Sequence, residues 1–217
     1  MNVSQKTFIG WSLALLPIIM TALYMFVFIR AGDGDSTSVL KNVAENALLN
    51  KLIISIAFVS FSLVIISLVM YSREISADSD NPFLGNFTAV VFLLSGVINL
   101  SGGNYFSAAI SMYDTVPGDA ILAFVIGSVE FGANDILFGI GFITLGRAIR
   151  DVNNKLEPAI LLNIISFGAL IIGIVNIVNV FIANDNVGLI SWLAWVLISV
   201  LLLSLIHISE QTRIDMI

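Results

Sequence analysis

Two acidic side chains stand inside one long apolar stretch of the chain. The segment IGSVEFGANDILFG, residues 126–139, carries Glu130, Asn134 and Asp135 among residues that suit hydrocarbon. An ionised carboxylate near a bilayer midplane costs ~2.5 to 3.5 kcal/mol even on permissive insertion scales, so it should face protein or water rather than lipid. Ionisable groups at such depth are by default functional candidates. These acids are therefore the starting point for a function.

The spacing of the two acids limits how they can act together. Glu130 and Asp135 are five positions apart, so at 100° per residue their directions on a helix differ by about 140°. One helix cannot aim both at a single point, and we expect them to face two neighbouring helices or to flank a cavity. Two stripes of small and polar residues accompany them: Ser128, Gly132, Asp135, Gly139 and Gly146, and Gly127, Glu130, Asn134 and Gly141.

Asparagines on other apolar segments offer partners for the acids. Asn99, Asn163 and Asn176 each lie on a polar face of a predicted helix. Because polar groups in lipid must be satisfied within the protein, these faces should converge. We expect Glu130 to be the titrating or substrate-contacting group of a ligand or ion pathway, with supporting hydrogen bonds from Asp135, Asn134, Asn99, Asn163 and Asn176. The alternative for the amides is ordinary packing between helices.

The composition is that of a membrane protein. Hydrophobic residues make up 58% of the 217-residue chain and charged residues only 11%, and the mean hydropathy is +1.02. A bilayer core of ~30 Å needs about 20 apolar residues per helix, and six runs approach that length. They are residues 7–29, 51–71, 84–101, 119–146, 158–183 and 187–206. Lys and Arg are absent from the centres of these runs, so neither acid has an obvious cationic partner.

The segment between the first two runs has a different pattern. After a Gly/Asp turn, Val39, Leu40, Val43, Ala47 and Leu48 recur at helical spacing, which predicts an amphipathic helix. The predicted fold class is therefore an all-α, polytopic membrane helix bundle with six transmembrane helices and one external amphipathic helix. We find no internal repeat and no second domain, so residues 1–217 form a single integral membrane domain.

The basic residues predict the orientation. Six transmembrane helices place Lys6, Arg73, Arg147, Arg150, Lys155 and Arg213 on one side and Arg30, Lys41 and Lys51 on the other. Since cytoplasmic loops carry the excess of Lys and Arg, both termini are predicted to be cytoplasmic, in the cell membrane. Trp192, Trp195 and Trp11 lie near predicted helix ends, where we interpret them as residues of the interfacial aromatic belts.

Several chemistries are disfavoured by residue content. The chain has no cysteine and one histidine, His207, so thiolate metal sites are excluded, a His-based metal site would lack partners, and no Ser/His catalytic pair can be assembled. The net charge of −6 without a basic cluster argues against binding of nucleic acid. We expect no cofactor, no metal and no enzymatic activity.

The order of four segments is similar to a known family. RAGDGD, LVMYS, FGIGFITLGRAIR and LEPAILLN follow one another along most of the chain. This layout resembles the six-span prokaryotic membrane proteins of the domain-of-unknown-function family numbered four-three-eight-six. The resemblance implies a six-helix topology and no particular activity.

Two functions fit these observations. The first is a small transporter or ligand-responsive protein, which would bind a small polar solute or a proton at the midplane carboxylate. A carboxyl group held away from water and cations favours its protonated form, a property that proton-coupled carriers use and that an inert buried acid shares. The second is a non-catalytic accessory or scaffolding subunit, whose small-residue stripes dock another membrane protein. A cavity that water can reach favours the first, and a solid core favours the second.

Overall fold

The chain folds into helices throughout the part that the structure describes. The structure is a computed structural model, and it describes residues 3–32, 35–79, 82–152, 159–182 and 185–214. The ends of the fifth predicted run, 158 and 183, and the loop residue Lys155 lie outside these ranges. Within them are seven helices: α1 (Val3–Ala31), α2 (Ser36–Ala44), α3 (Ala47–Asp78), α4 (Phe83–Met112), α5 (Pro117–Val152), α6 (Ala159–Ile182) and α7 (Asp185–Ile214).

The six long helices form a closed ring. Their packing order is α1, α3, α4, α5, α6, α7 and back to α1, and α3 also contacts α5 across the ring. Consecutive long helices run antiparallel, as short connections between packed helices require. Two ends of the ring can therefore be named: the closed end, where α1 and α6 begin and α5 ends, and the open end, where α1 and α6 end and α7 begins.

Five of the long helices have the length and composition to cross a membrane. They are α1 (as Ser4–Phe28), α3, α4, α5 and α6, while the apolar part of α7, Asn186–Leu202, is shorter. Large apolar side chains such as Val129, Ile171 and Phe181 point outward from the ring and are exposed. An all-α bundle of this kind indicates a multi-pass helical membrane protein. A sixth transmembrane helix and the position of α2 outside the bilayer remain predictions.

The helices extend beyond the predicted runs. The predicted run 84–101 ends before Gly102 and Gly103, but α4 continues through both. A methyl group at Gly103 would lie 2.8 Å from the ring of Phe58 on α3, so this glycine allows α3 and α4 to approach. The pair therefore serves packing and not chain reversal.

The amphipathic segment folds as a short separate helix. Asp35 accepts a hydrogen bond from the Ser38 backbone N–H at 2.8 Å, which caps α2 at its start. α2 buries Leu40 and Val43, and it contacts α1, α3, α4 and α5. It ends before Leu48, which lies on α3 and is 86% exposed. The amphipathic helix is thus confirmed for Val39, Leu40 and Val43, whereas Ala47 and Leu48 lie beyond its end, on α3.

The ring is filled at the closed end. The larger of two apolar clusters holds Leu68, Phe142, Leu145, Ile165 and Leu202, all nearly inaccessible. The smaller cluster lies beneath α2 and includes Leu40, Val43, Phe106 and Phe124. α6 and α7 make no contact with α2 within the described residues, so the open end is left uncovered on their side.

Glycines bring α5 and α6 close together from the middle of the ring to the closed end. A methyl group placed at Gly146 would lie 2.5 Å from the Ser166 carbonyl oxygen, and one at Gly139 would lie 2.6 Å from that of Gly173. At Gly132 the nearest neighbour would be Val180, at 3.7 Å. The two helices therefore diverge towards the open end, which makes room inside the ring.

Candidate functional site

A cavity of about 660 Å³ occupies that space. Phe28, Asn179 and Gly188 line it near its mouth, and each lies three residues from the end or start of its helix at the open end. Phe61, Phe138 and Trp195 form its floor against the filled core. The cavity thus extends from the filled core to residues near the open end. Its size is typical of sites for small molecules.

Asp135 places a carboxyl group in the cavity wall. The midpoint of α5 falls between Asn134 and Asp135. The predicted run 119–146 is shorter and has its midpoint close to Gly132 and Glu130. Asp135 is solvent-accessible and lines the cavity inside the ring. Tyr24 on α1 is close enough to interact electrostatically with this carboxyl group. Within the described part of the chain, Asp135 has no salt bridge or hydrogen-bond partner.

Three of the predicted asparagines line the same cavity. Asn134 is 5% exposed, and its amide oxygen accepts a hydrogen bond of 2.6 Å from the Ser95 hydroxyl on α4. Asn176 on α6 accepts one from Ser191 on α7. Asn99 is also 5% exposed, and its Nδ2 has no hydrogen-bond partner in the described structure. The convergence of these polar faces was predicted from the sequence.

Glu130 does not line the cavity. It lies between α5 and α4, where Ser101 donates a hydrogen bond of 3.2 Å to its Oε1. Its Oε2 is buried without a partner among the described residues. The two acids therefore face different neighbours, as their angular separation on the helix predicts. We expected Glu130 to be the main ligand-contacting group, but in the structure Asp135 lines the cavity and Glu130 does not.

Asn163 also lies away from the cavity. It is exposed and stands one turn after the start of α6, at the closed end of the ring. Asn163 and Asn176 are 13 positions apart, so on α6 they differ by about 20 Å in depth and by about 140° in direction. The expectation that Asn163 supports the same site is not met, because Asn163 differs from Asn176 in both depth and direction.

Aromatic rings form much of the cavity surface. Tyr24 and Trp192 are stacked with centroids 6.2 Å apart, and Trp192 meets Trp195 edge to face at 5.6 Å. Trp195 also meets Phe138 at 5.6 Å. The remaining aromatic lining residues are Phe28, Phe58, Phe61 and Phe131. The indole N–H of Trp192 donates to Thr21 Oγ1 at 2.8 Å, which fixes this ring in the wall.

The interpretation of two tryptophans as interfacial residues was wrong. Trp195 is 2% exposed and Trp192 lies in the cavity wall, whereas Trp11 is 59% exposed, as a belt residue would be. A signal for this was present in the spacing. Gly188, Trp192, Trp195 and Ser199 follow one face of α7, and the exposed Leu193 and Leu197 lie on another.

The fold and the cavity define a class: a helical bundle with the character of a membrane protein and an internal, acidic, aromatic-lined site. No family model, curated protein or solved structure matches the chain. The resemblance to the six-span family therefore stays a prediction.

Proposed function

We propose that this chain is a multi-pass protein of the cell membrane that binds a small solute in the cavity, as a transporter or a ligand-responsive protein. The observation that carries the proposal is Asp135, an acid at the midpoint of α5 that is exposed to a cavity. In this proposal Asp135 takes the role first expected of Glu130. Asn99, Asn134 and Asn176 surround it as hydrogen-bonding groups.

The proposed topology has six transmembrane helices, with α7 as the sixth, and both termini in the cytoplasm. The excess of Lys and Arg at the closed end supports this orientation. The open end then faces the outside, with α2 at the outer surface. A solute would enter from the external medium and reach Asp135 without crossing the filled core.

The rival function, an accessory or scaffolding subunit, has less support. It predicts that the small-residue stripes of α5 face outward and dock another membrane protein. Gly139 and Gly146 instead pack against α6, and Gly127 and Gly141 pack against side chains of α4. The glycine faces of α5 are therefore already covered by α4 and α6 and are not open to another membrane protein.

Capture of a bound solute tests the proposal. Wild-type protein and the variants Asp135→Asn and Glu130→Gln are placed in lipid nanodiscs, incubated with a small-molecule extract of the host cells and washed. Native mass spectrometry then reads the bound mass. We expect the same small mass on the wild type and Glu130→Gln and none on Asp135→Asn. The proposal fails if no mass is bound, or if Asp135→Asn retains it.

A further inference from the structure

We infer that the cavity selects a small organic cation, one that carries both a positively charged nitrogen and a hydrogen-bond acceptor. This inference rests on the proposed function and names its ligand class. The first ground is charge. Asp135 is the one carboxyl group among the described lining residues, and no Lys or Arg is among them. An acid in a cavity without a basic partner is complementary to a cation.

The second ground is the aromatic surface. Eight aromatic residues line the cavity. Among them Tyr24 is close enough to Asp135 to interact electrostatically with it, and Tyr24 stacks on Trp192. The face of an aromatic ring attracts an ammonium group within about 6 Å of its centroid, most strongly at Trp. A carboxyl group beside such rings suits an alkylated ammonium group, whose carbon surface also gains from apolar contact.

The same residues suit a metal ion poorly. Ca²⁺ takes about six to eight oxygen ligands, and Mg²⁺ about six. The amide oxygens of Asn134 and Asn176 already accept hydrogen bonds from Ser95 and Ser191. The described residues also hold no group of three or more acidic or histidine side chains. The cavity has a negative charge but too few free oxygen ligands for a metal ion. It therefore favours an organic cation over an inorganic one.

The third ground is an unpaired donor. Asn99 lines the cavity, is 5% exposed, and has no described partner for its Nδ2. A buried donor left without a partner costs about 1 to 3 kcal/mol. A ligand hydroxyl, ether or carbonyl oxygen would accept from this N–H group while the ammonium group meets Asp135. The unpaired N–H group of Asn99 is therefore the reason why we infer a hydrogen-bond acceptor in the ligand.

Two probes of nearly equal shape test the inference. Choline carries a trimethylammonium group and a hydroxyl group, and 3,3-dimethylbutan-1-ol has the same shape without the charge. The three tryptophans of the chain provide the readout. In a Trp11→Phe background the remaining fluorescence comes from Trp192 and Trp195, both of which line the cavity. Each probe is titrated into this protein in lipid nanodiscs.

We expect a saturable fluorescence change with choline, and binding of the neutral alcohol weaker by at least about tenfold. Adding Asp135→Asn to the Trp11→Phe protein should weaken choline binding by a similar factor. The matched variant Glu130→Gln should leave it unchanged, because Glu130 lies outside the cavity. A loss common to both variants would point to misfolding, so the unfolding temperature of each is measured alongside.

The inference is overturned if folded Trp11→Phe protein shows no saturable response to choline, or if both probes bind equally well. It is also overturned if folded Asp135→Asn retains choline binding. Failure of this inference differs from failure of the proposed function. If a neutral or anionic solute is captured from the extract and its binding depends on Asp135, the proposed function stands and the inference of a cationic ligand is wrong. If no solute is captured, the proposed function itself is wrong.

Discussion

The two ends of the helix ring are built from the same helices and packed in opposite ways. At the closed end, Gly139 and Gly146 let α6 lie against α5, and aromatic and aliphatic side chains fill the interior. Near the midpoint of α5, a methyl group placed at Gly132 would lie 3.7 Å from Val180, and from there towards the open end a cavity takes the place of the core. The cavity thus begins where the close packing of α5 against α6 ends.

The two acids of α5 show the same contrast on a smaller scale. Glu130 is held by Ser101 in the contact between two helices, as a buried polar group that supports packing. Asp135, five positions later, is exposed to the cavity. The two acids lie at similar positions along α5. The face of the helix on which each one lies therefore decides which acid can contact a solute.

The largest expected effect comes from filling the close α5 to α6 contact. Gly146→Ala and Gly139→Ala should each lower the free energy of unfolding by about 1 to 3 kcal/mol, because the added methyl group meets a backbone carbonyl. Gly132→Ala is the matched control, with the same gain in helix propensity and room for the methyl group. Unfolding in mild detergent measures all three. Equal stabilities would contradict the divergence of α5 and α6.

A smaller effect is expected in α2, at the open end. Hydrogen bonds from the backbone and hydroxyl groups of Ser38 hold the pKa of Asp35 below its ordinary value. The ionised cap therefore stabilises α2 above the pKa of the unfolded chain, and this contribution is lost as pH falls through the lowered folded-state pKa. Amide hydrogen exchange, corrected for its intrinsic pH dependence, should show α2 loosening at acidic pH while α6 does not change.

Asp35→Asn is the control for this second prediction. Asparagine caps a helix about as well as aspartate but does not titrate. In this variant the protection of α2 should stay constant over the same pH range. If the pH dependence persisted in Asp35→Asn, another group would have to be responsible.

Local pattern predicted the helices and which way many side chains point. The two stripes on α5 follow from 100° per residue, and the structure pairs one with α4 and places the other towards α6. Asn99, Asn134, Asp135 and Asn176 were all predicted for one site and line one cavity. These side-chain directions follow from helical periodicity, which can be read directly from the sequence.

What the sequence left open depends on contacts between distant segments. The ring closes through α1 and α7, and that closure brings Thr21 to Trp192 across 171 positions. The spacing within α7 places Trp192 and Trp195 on the face away from Leu193 and Leu197, but only this closure turns that face into a cavity wall. The cavity itself depends on how closely α6 approaches α5 near Gly132, which glycine spacing permits but does not determine. Asn163 was misplaced for a different reason, because 13 positions turn it to another face of α6 than Asn176.

The account depends on water reaching Asp135 and not Glu130, and thiol labelling tests this directly. The chain has no cysteine, so Asp135→Cys and Glu130→Cys each introduce a single thiol into the folded protein in lipid. Reactivity of a thiol towards a water-soluble methanethiosulfonate follows its access to water. Labelling in detergent after full unfolding gives the maximum for each variant. We expect Asp135→Cys to label readily in the folded state and Glu130→Cys to stay protected. Protection of Asp135→Cys, or equal labelling of both, would contradict the account.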